Sequence, residues 1–443
     1  MMRVSLKSSA IAKYLFIFSV VVTLVGGSYA YGVYSYQQKI FPIPLLRIVR
    51  WNLQELMFPS DAILAAGVDT GPTVETRQPE RLAPGLVMVV GSIHGTRDTF
   101  VRIIDRSGTV IHEWIPRWAD VWGDQGGNFP ADRRPRGNNG MYLHGIDLLP
   151  DASFVANFEH LSTFRMNVCG EVEWKLDNLG HHSVFYSDRG YVWVTAERYV
   201  ETGETGYPNH KAPLRSWMLQ KIGLDGEVLE DFEIIDILRK NDLYGLLFLS
   251  TLFKEPHISG DALHLNDVDE FPSGMASEIF DPGDVMVSLR NINAIFVFDP
   301  ATLQVKFLSI GRYVGQHDPD FLSGDRISVF DNRNRKPSAE EGARGGRIIE
   351  VDARTSTESV VLDGRDRFFT ALMGVHQRIA NGNILVTSSG EGRAIEFSPD
   401  GAVVWIYRNK ISDDRNGRIY MASLLPEHMN SAFFKQALDS CTD

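Results

Sequence analysis

The chain has 443 residues, 44% of them hydrophobic and 23% charged, a globular balance long enough to bury a large core. Its formal net charge is −12 with no long basic run, which argues against a nucleic-acid partner, since neutralising phosphates needs clustered Lys and Arg. The two cysteines, Cys169 and Cys441, form no Cys-x-x-Cys pair, so a thiolate zinc site is excluded. A single disulfide between them and two unrelated thiols are both open, the first requiring an oxidising compartment.

At the N-terminus, Arg3, Lys7 and Lys13 precede an uncharged run from Tyr14 to Gln38, most apolar from Leu15 to Val25. The run is long enough to span a bilayer as one helix. Basic residues before it favour residues 1–13 on the cytoplasmic side and an exported body, although Lys39, Arg47 and Arg50 weaken the asymmetry. Ser28-Tyr29-Ala30 also resembles a signal-peptidase site, so residues 14–38 read as a transmembrane anchor or a signal segment. The tyrosines at 29, 31, 34 and 36 form an interfacial aromatic belt and favour the anchor. The expected location is the cell inner membrane, single-pass, with the body on the periplasmic or extracellular side.

Residues 39–84 read as a connector. Phe41-Pro42-Ile43-Pro44 breaks any continuing helix, Leu45–Phe58 could form a short amphipathic helix, and Val68–Pro84 reads as linker. Strands begin at residue 85 and recur in six units, each of four short strands over about 40–50 residues, the size of a propeller blade. Asp-Gly and Ser-Gly turns between alternating strands support this reading. The fold class is therefore all-β: a six-bladed β-propeller over residues 85–425, preceded by a single N-terminal transmembrane helix and followed by a C-terminal tail, 426–443. Unit one lacks the first strand that the other five have. The spare strand-like segment is Arg418–Pro426, predicted to supply that innermost strand and close the ring, leaving no long open edge. Two insertions interrupt the pattern. Ile237–Gly260 holds the apolar stretch Tyr244–Phe253, read as a lid, a membrane-facing patch or a buried helix. Asn332–Gly346 is charged and reads as a surface loop.

Four units carry a histidine at one phase, just before the first strand's turn signal: His144, His182, His264 and His317. In a propeller the first strand of each blade lines the central channel, so the four should meet at one mouth. Unit six has Gly374 at that place, with His376 two residues on, on the same strand face at another depth. Arg290, in the second strand of unit four, would put a permanent cation beside them. Each histidine taken singly could merely cap a turn. Four in phase beside an arginine fit a nucleophile, a general acid or base, or metal ligation, and the guanidinium suits an anionic tetrahedral group. His94, His112, His160, His210 and His428 are out of phase and read as surface or packing residues, and His181 is ambiguous, adjacent to His182 but on the opposite strand face. No Gly-x-x-x-x-Gly-Lys-[Ser/Thr] loop and no Gly-x-Ser-x-Gly elbow is present.

At these residues the chain resembles the arylsulfotransferase (arylsulfate sulfotransferase) family. The matching segments are His181-His182, His264-Leu-Asn-Asp-Val268, Val287–Ile295 around Arg290, Gly315-Gln-His-Asp-Pro319 with Ile327–Asn332, and Gln377–Leu385. The resemblance covers residues 85–425. It implies a six-bladed propeller that moves a sulfuryl group from a phenolic sulfate ester to another phenol, with no nucleotide donor and no cofactor. It further implies His317 as nucleophile, His264 and His182 binding sulfuryl oxygens or handling the phenolic proton, and Arg290 holding the developing negative charge. His144, Asn266 and His376 are the expected substrate-binding residues, and no metal is expected. The partners are a small aryl sulfate and a phenol, with the membrane reached through the N-terminal helix. Well-studied bacterial members carry an extra N-terminal β-domain, for which residues 40–84 are too short. Two competing readings are a metal-dependent propeller hydrolase, with the histidines and Asp147, Asp267 or Asp320 as ligands, and a non-catalytic propeller that binds a partner or glycan.

Overall fold

The computed structural model describes residues 5–38, 40–43, 45, 46, 49, 65, 67, 69–94, 98–123, 127, 129, 142–249, 257–333 and 345–441. It divides into two compact units, residues 1–62 and 63–443. In the first, Ser5–Gln38 is one α-helix, and its stretch Ala10–Gln37 is long and apolar enough to cross a membrane. Leu15, Phe16, Phe18, Leu24 and Val25 are all exposed along it. The helix proposed at Leu45–Phe58 lies largely outside the described residues.

The second unit is a six-bladed β-propeller of antiparallel sheets. Blades two to six each run in chain order from an inner to an outer strand. Their inner strands are Leu143–Leu148, Val184–Ser187, Leu265–Glu270, His317–Leu322 and Val375–Arg378. Blade one is completed from the far end of the chain. Ile419–Leu424 pairs antiparallel with Val87–Ser92, matching Val87 to Leu424 and Val90 to Met421, and so becomes its inner strand. The closing strand expected at Arg418–Pro426 is therefore present.

The connector is not all linker. Val74–Thr76 adds a fifth strand to blade six, against Trp405–Tyr407. Arg408, nearly fully buried, fixes it there through ion pairs to Asp69 and Glu75 at 2.9 and 3.0 Å. Charge and glycine content suggested a linker, but paired charges fold as readily as free ones.

Apolar side chains alternate along the strands and fill the spaces between blades. Trp114, Phe154, Phe158 and Phe164 pack in one such cluster and Trp193, Trp217, Phe296 and Phe298 in another. The insertion after blade three contributes to the second. Ile234–Lys240 is a helix burying Ile234, Ile235, Ile237 and Leu238, followed by a single-turn helix, Tyr244–Phe248. The helix starts ahead of the apolar run expected to form it, and residues 250–256 lie outside the described residues. Ile258–Gly260 then returns parallel to the third strand of blade three, delivering Asp261 to the mouth of the ring. The proposed surface loop at 332–346 is described only at its ends.

Cys169 and Cys441 form a disulfide, tying the C-terminal segment that follows the short helix Ser431–Leu438 to blade two.

Candidate active site

Every inner strand starts at the same mouth of the ring, and a left-handed residue stands at or beside each start in blades two to six. These are Gly145 (φ 92°), His182 (56°), His264 (54°), Asp318 (51°) and Gly374 (109°). A non-glycine side chain in this region costs on the order of 1 kcal/mol or more, a cost that persists where the surroundings impose it. Pairing shifts register there, between Leu143 and Ile146, Leu265 and Asp267, and His317 and Asp320. Gly145 is required as well as permitted, because a Cβ on it would lie 1.4 Å from the carbonyl oxygen of His182.

The kinks bring the in-phase histidines together. His182 Nδ1 and His144 Nε2 share a hydrogen bond of 2.9 Å, and His182 Nε2 and His264 Nε2 one of 2.7 Å. The rings of His182 and His317 are 6.3 Å apart between centroids. A carboxylate holds each end of this chain: Glu159 Oε1 lies 3.3 Å from His144 Nδ1, and Asp261 Oδ2 is hydrogen-bonded to His264 Nδ1. His144, His182 and His317 line a central cavity of about 400 Å³.

His317 is held differently. Its Nδ1 faces two acceptors, Gly315 O at 3.0 Å and Asn332 Oδ1 at 2.8 Å, while Met373 N–H donates to its Nε2 over 3.1 Å. Asn332 cannot be flipped, because its Nδ2 donates to the carbonyls of Thr370 and Met373. The proton of neutral His317 therefore sits on Nδ1 and the lone pair on Nε2.

Arg290 lies just past the second strand of blade four, in the turn Arg290–Ile292, rather than within the strand. Its backbone N–H donates to His264 O over 3.0 Å. Its charge reaches His144, His264 and His317, lowering the basicity of all three. Burial is the larger cause and brings His144 and His317 down to about 3. Burial, then the neighbouring rings, holds His181 and His182 well below the usual imidazole range. His264 is lowered by burial against the opposing pull of Asp261. The imidazoles are thus neutral near pH 7, with lone pairs available. Burial raises Glu159 to about 8, against Arg215 and Arg290, so its carboxyl keeps a proton there.

Two histidines outside the expected set join the cluster. His181 is fully buried, with its ring 3.8 Å from that of His182 rather than turned away. His160 packs on His181 at 3.7 Å, and Trp217 stacks on the same ring at 5.4 Å. His112, by contrast, packs against Trp114 with Nε2 on Val168 O.

Asn266 is buried beside the cavity. Its Nδ2 donates to Gln316 O over 2.7 Å, and its Oδ1 has no partner among the described residues. His376 lines the same cavity but belongs to an acidic layer. Asp318 Oδ2 accepts from its Nδ1 at 2.8 Å, and its Nε2 meets Ser328 Oγ. Asp147, Asp267, Asp269 and Asp320 also line the cavity, all with carboxyls raised by burial, to about 7 for Asp147 and Asp269. Donor atoms of Asp318, Asp320 and His376 come within 4.8 Å of one another, close enough to share a cation.

Glu159, His160, Asp261 and the acceptor role of Asn332 did not follow from histidine phase. A topological signal was available. Inner strands start at the same end as the turn joining the second strand to the third, so Glu159-His160 in blade two, Arg290-Asn291 in blade four and Asn332 in blade five all stand over the mouth.

Among solved structures, the chain is similar to a protein of unknown function from Bacteroides caccae at 12% identity, covering 77% of this chain and 98% of that one, with a TM-score of 0.47. It is similar to virginiamycin B lyase from Staphylococcus aureus at 8% identity, covering 79% and 99%, with a TM-score of 0.38. The Pan2 WD40 domain of Neurospora crassa is similar at 10% identity, covering 71% and 77%, with a TM-score of 0.37. No curated protein matches the chain. The family model described as Arylsulfotransferase (ASST) matches residues 146–410.

Proposed function

We propose that this chain, which belongs to the arylsulfotransferase family, transfers a sulfuryl group from a phenolic sulfate ester to a phenolic acceptor through a sulfurylated His317, without a nucleotide donor. The observation that carries the proposal is the pair of acceptors, Gly315 O and Asn332 Oδ1, facing His317 Nδ1. Two acceptors hold the proton on Nδ1, so Nε2 presents its lone pair beside the cavity at every pH where the ring is neutral. In the present state that lone pair accepts from Met373 N–H, so a bound donor ester must displace this hydrogen bond before attack.

In the forward half-reaction Nε2 attacks sulfur, the ester S–O bond breaks, and the phenol leaves with the bonding pair. Arg290, partly buried, offers a fixed cation to the sulfuryl oxygens as charge shifts on them, and preorganised charge of this kind is usually the largest catalytic contribution. His182 and His264 lie beside the reacting centre for proton handling. Asn266, with Nδ2 engaged, has Oδ1 left to accept an acceptor phenol's hydroxyl. His144 and His376 bound the substrate space from two sides of the cavity. The acceptor phenol then takes the sulfuryl group from Nε2 and restores His317.

The N-terminal helix would tether the propeller to the inner membrane, with the propeller on the periplasmic or extracellular side. The Cys169–Cys441 disulfide suits that compartment. Initial rates with 4-nitrophenyl sulfate and a phenol, varied together without nucleotide, test the reaction. Parallel double-reciprocal lines are expected. Release of nitrophenol that ignores the acceptor, or no release across several aryl sulfates, would sink the proposal.

A further inference from the structure

Four hydrogen bonds join five side chains in one line: Glu159 to His144, His144 to His182, His182 to His264, and His264 to Asp261. Each bond needs one proton. Three neutral imidazoles supply three, and a carboxylate supplies none. The line is therefore one proton short unless an end carboxyl is protonated or one ring is a cation. Every nitrogen along it is already committed to a neighbour, so no ring can be satisfied by turning.

We infer that Glu159 is the proton store of the sulfuryl-transfer site, charging and discharging through His144 and His182, with Asp261 fixing the direction of the line from its other end. This rests on the proposed function above and adds to it a residue that touches no substrate.

The direction follows from the partners. Asp261 is held below the usual carboxylate range: burial is the largest single effect and acts against this, but the bond to His264 and the charge there, the 2.9 Å bond accepted from Trp217 Nε1 and the charge of Arg215 together outweigh it. Ionised, it takes the Nδ1 proton of His264. His264 Nε2 must then accept from His182 Nε2–H, His182 Nδ1 from His144 Nε2–H, and His144 Nδ1 from the Glu159 carboxyl. Burial keeps Glu159 protonated to about pH 8. The groups facing it are Arg215 and Arg290, which oppose that effect, with His144, His160, His181 and Tyr420. Around the rest of the line stand His317, His160 and Glu197, the last within 3.7 Å of both His160 and Arg215.

The step balances. His317 Nε2 takes the sulfuryl group as the ester S–O bond breaks, and the leaving phenoxide takes the Nε2 proton of His182, which gives up its bond to His264 Nε2 in this step. His182 is refilled at Nδ1 by His144, and His144 at Nδ1 by Glu159. Glu159 ends as a carboxylate, the phenol leaves neutral, and His317 holds SO3 on a ring that keeps its Nδ1 proton. The acceptor phenol's proton runs back along the same line as its oxygen attacks sulfur.

The Glu159→Gln variant tests this, because the amide can still donate to His144 Nδ1 yet has no proton to release. Sulfurylation rates are measured with 4-nitrophenyl sulfate, whose leaving group needs little protonation, and phenyl sulfate, whose leaving group needs it fully. The expected loss is on the order of a hundredfold for phenyl sulfate and at least about tenfold smaller for 4-nitrophenyl sulfate. In wild type, the phenyl sulfate rate should fall above about pH 8 more steeply than the nitrophenyl rate. This comparison serves also if the variant fails to fold. Equal losses with the two donors, or superimposable wild-type pH profiles, overturn the proton store while leaving sulfurylated His317 intact. Absence of any adduct in wild type would instead overturn the underlying reaction.

Discussion

Asn332 Oδ1 sits 2.8 Å from His317 Nδ1, and the nitrogen of the same amide is pinned by two backbone carbonyls. The histidine proton is thereby fixed by a residue fifteen positions away in sequence, just past the end of the next strand of the same blade. The Asn332→Ala variant should lose on the order of a hundredfold in kcat/KM, because Gly315 O alone holds the Nδ1 tautomer less firmly. The rate of nitrophenol release checks this. Full activity in a folded Asn332→Ala protein would remove the tautomer argument.

Gly145 separates His144 from the rest of its strand and lies against His182. Because a Cβ there meets His182 O at 1.4 Å, Gly145→Ala must push the two blade starts apart. The left-handed backbone adds about 1 kcal/mol of strain for any residue with a Cβ. The variant should melt several degrees lower and lose the His144–His182 bond, with activity falling in step. An unchanged melting temperature would mean that the strand starts are looser than this packing implies.

Asp147 Oδ2 accepts the Tyr186 N–H at 2.7 Å, yet burial raises its pKa to about 7. The folded state therefore binds this proton more tightly than the unfolded chain does. The stability it contributes is fully present below the unfolded value near 4 and is lost as pH rises through about 7. Asp147→Asn keeps the acceptor without the charge. It should melt higher than wild type at pH 8 and nearly together with it at pH 4. A variant that melts lower at pH 8 would show that the ionised carboxylate is stabilising.

Ring closure depends on the last strand. Ending the chain before Arg418 removes the inner strand of blade one and the segment that the disulfide ties to blade two. Such a protein should lose cooperative unfolding, and reduction of Cys169–Cys441 alone should cost about 2–5 kcal/mol. Calorimetry reads both. A truncated propeller that melts like the full chain would contradict the closure.

The ring and its closing strand were legible because strand period, turn residues and a missing first strand are local signals. So was the meeting of His144, His182, His264 and His317, since a shared phase in a repeat becomes a shared place around an axis. What escaped depends on three-dimensional neighbours. Glu159 and His160 occupy a turn whose role is visible only once the mouth of the ring is known. Asp261 arrives on a parallel edge strand after an insertion that breaks the repeat. The pairing of Val74–Thr76 with blade six was hidden because a three-residue strand carries almost no periodicity. His376 kept its strand face as expected, but two residues of depth moved it from the histidines to the aspartates.

In the proposed reaction Nε2 of His317 carries the sulfuryl group between donor and acceptor. Intact mass of the protein after brief exposure to 4-nitrophenyl sulfate, without acceptor, measures it directly. A gain of one SO3 per chain is expected, mapped to His317, absent in His317→Ala and discharged on adding a phenol. An adduct that persists in folded His317→Ala, or turnover by wild type with no adduct trapped at any time, would contradict it.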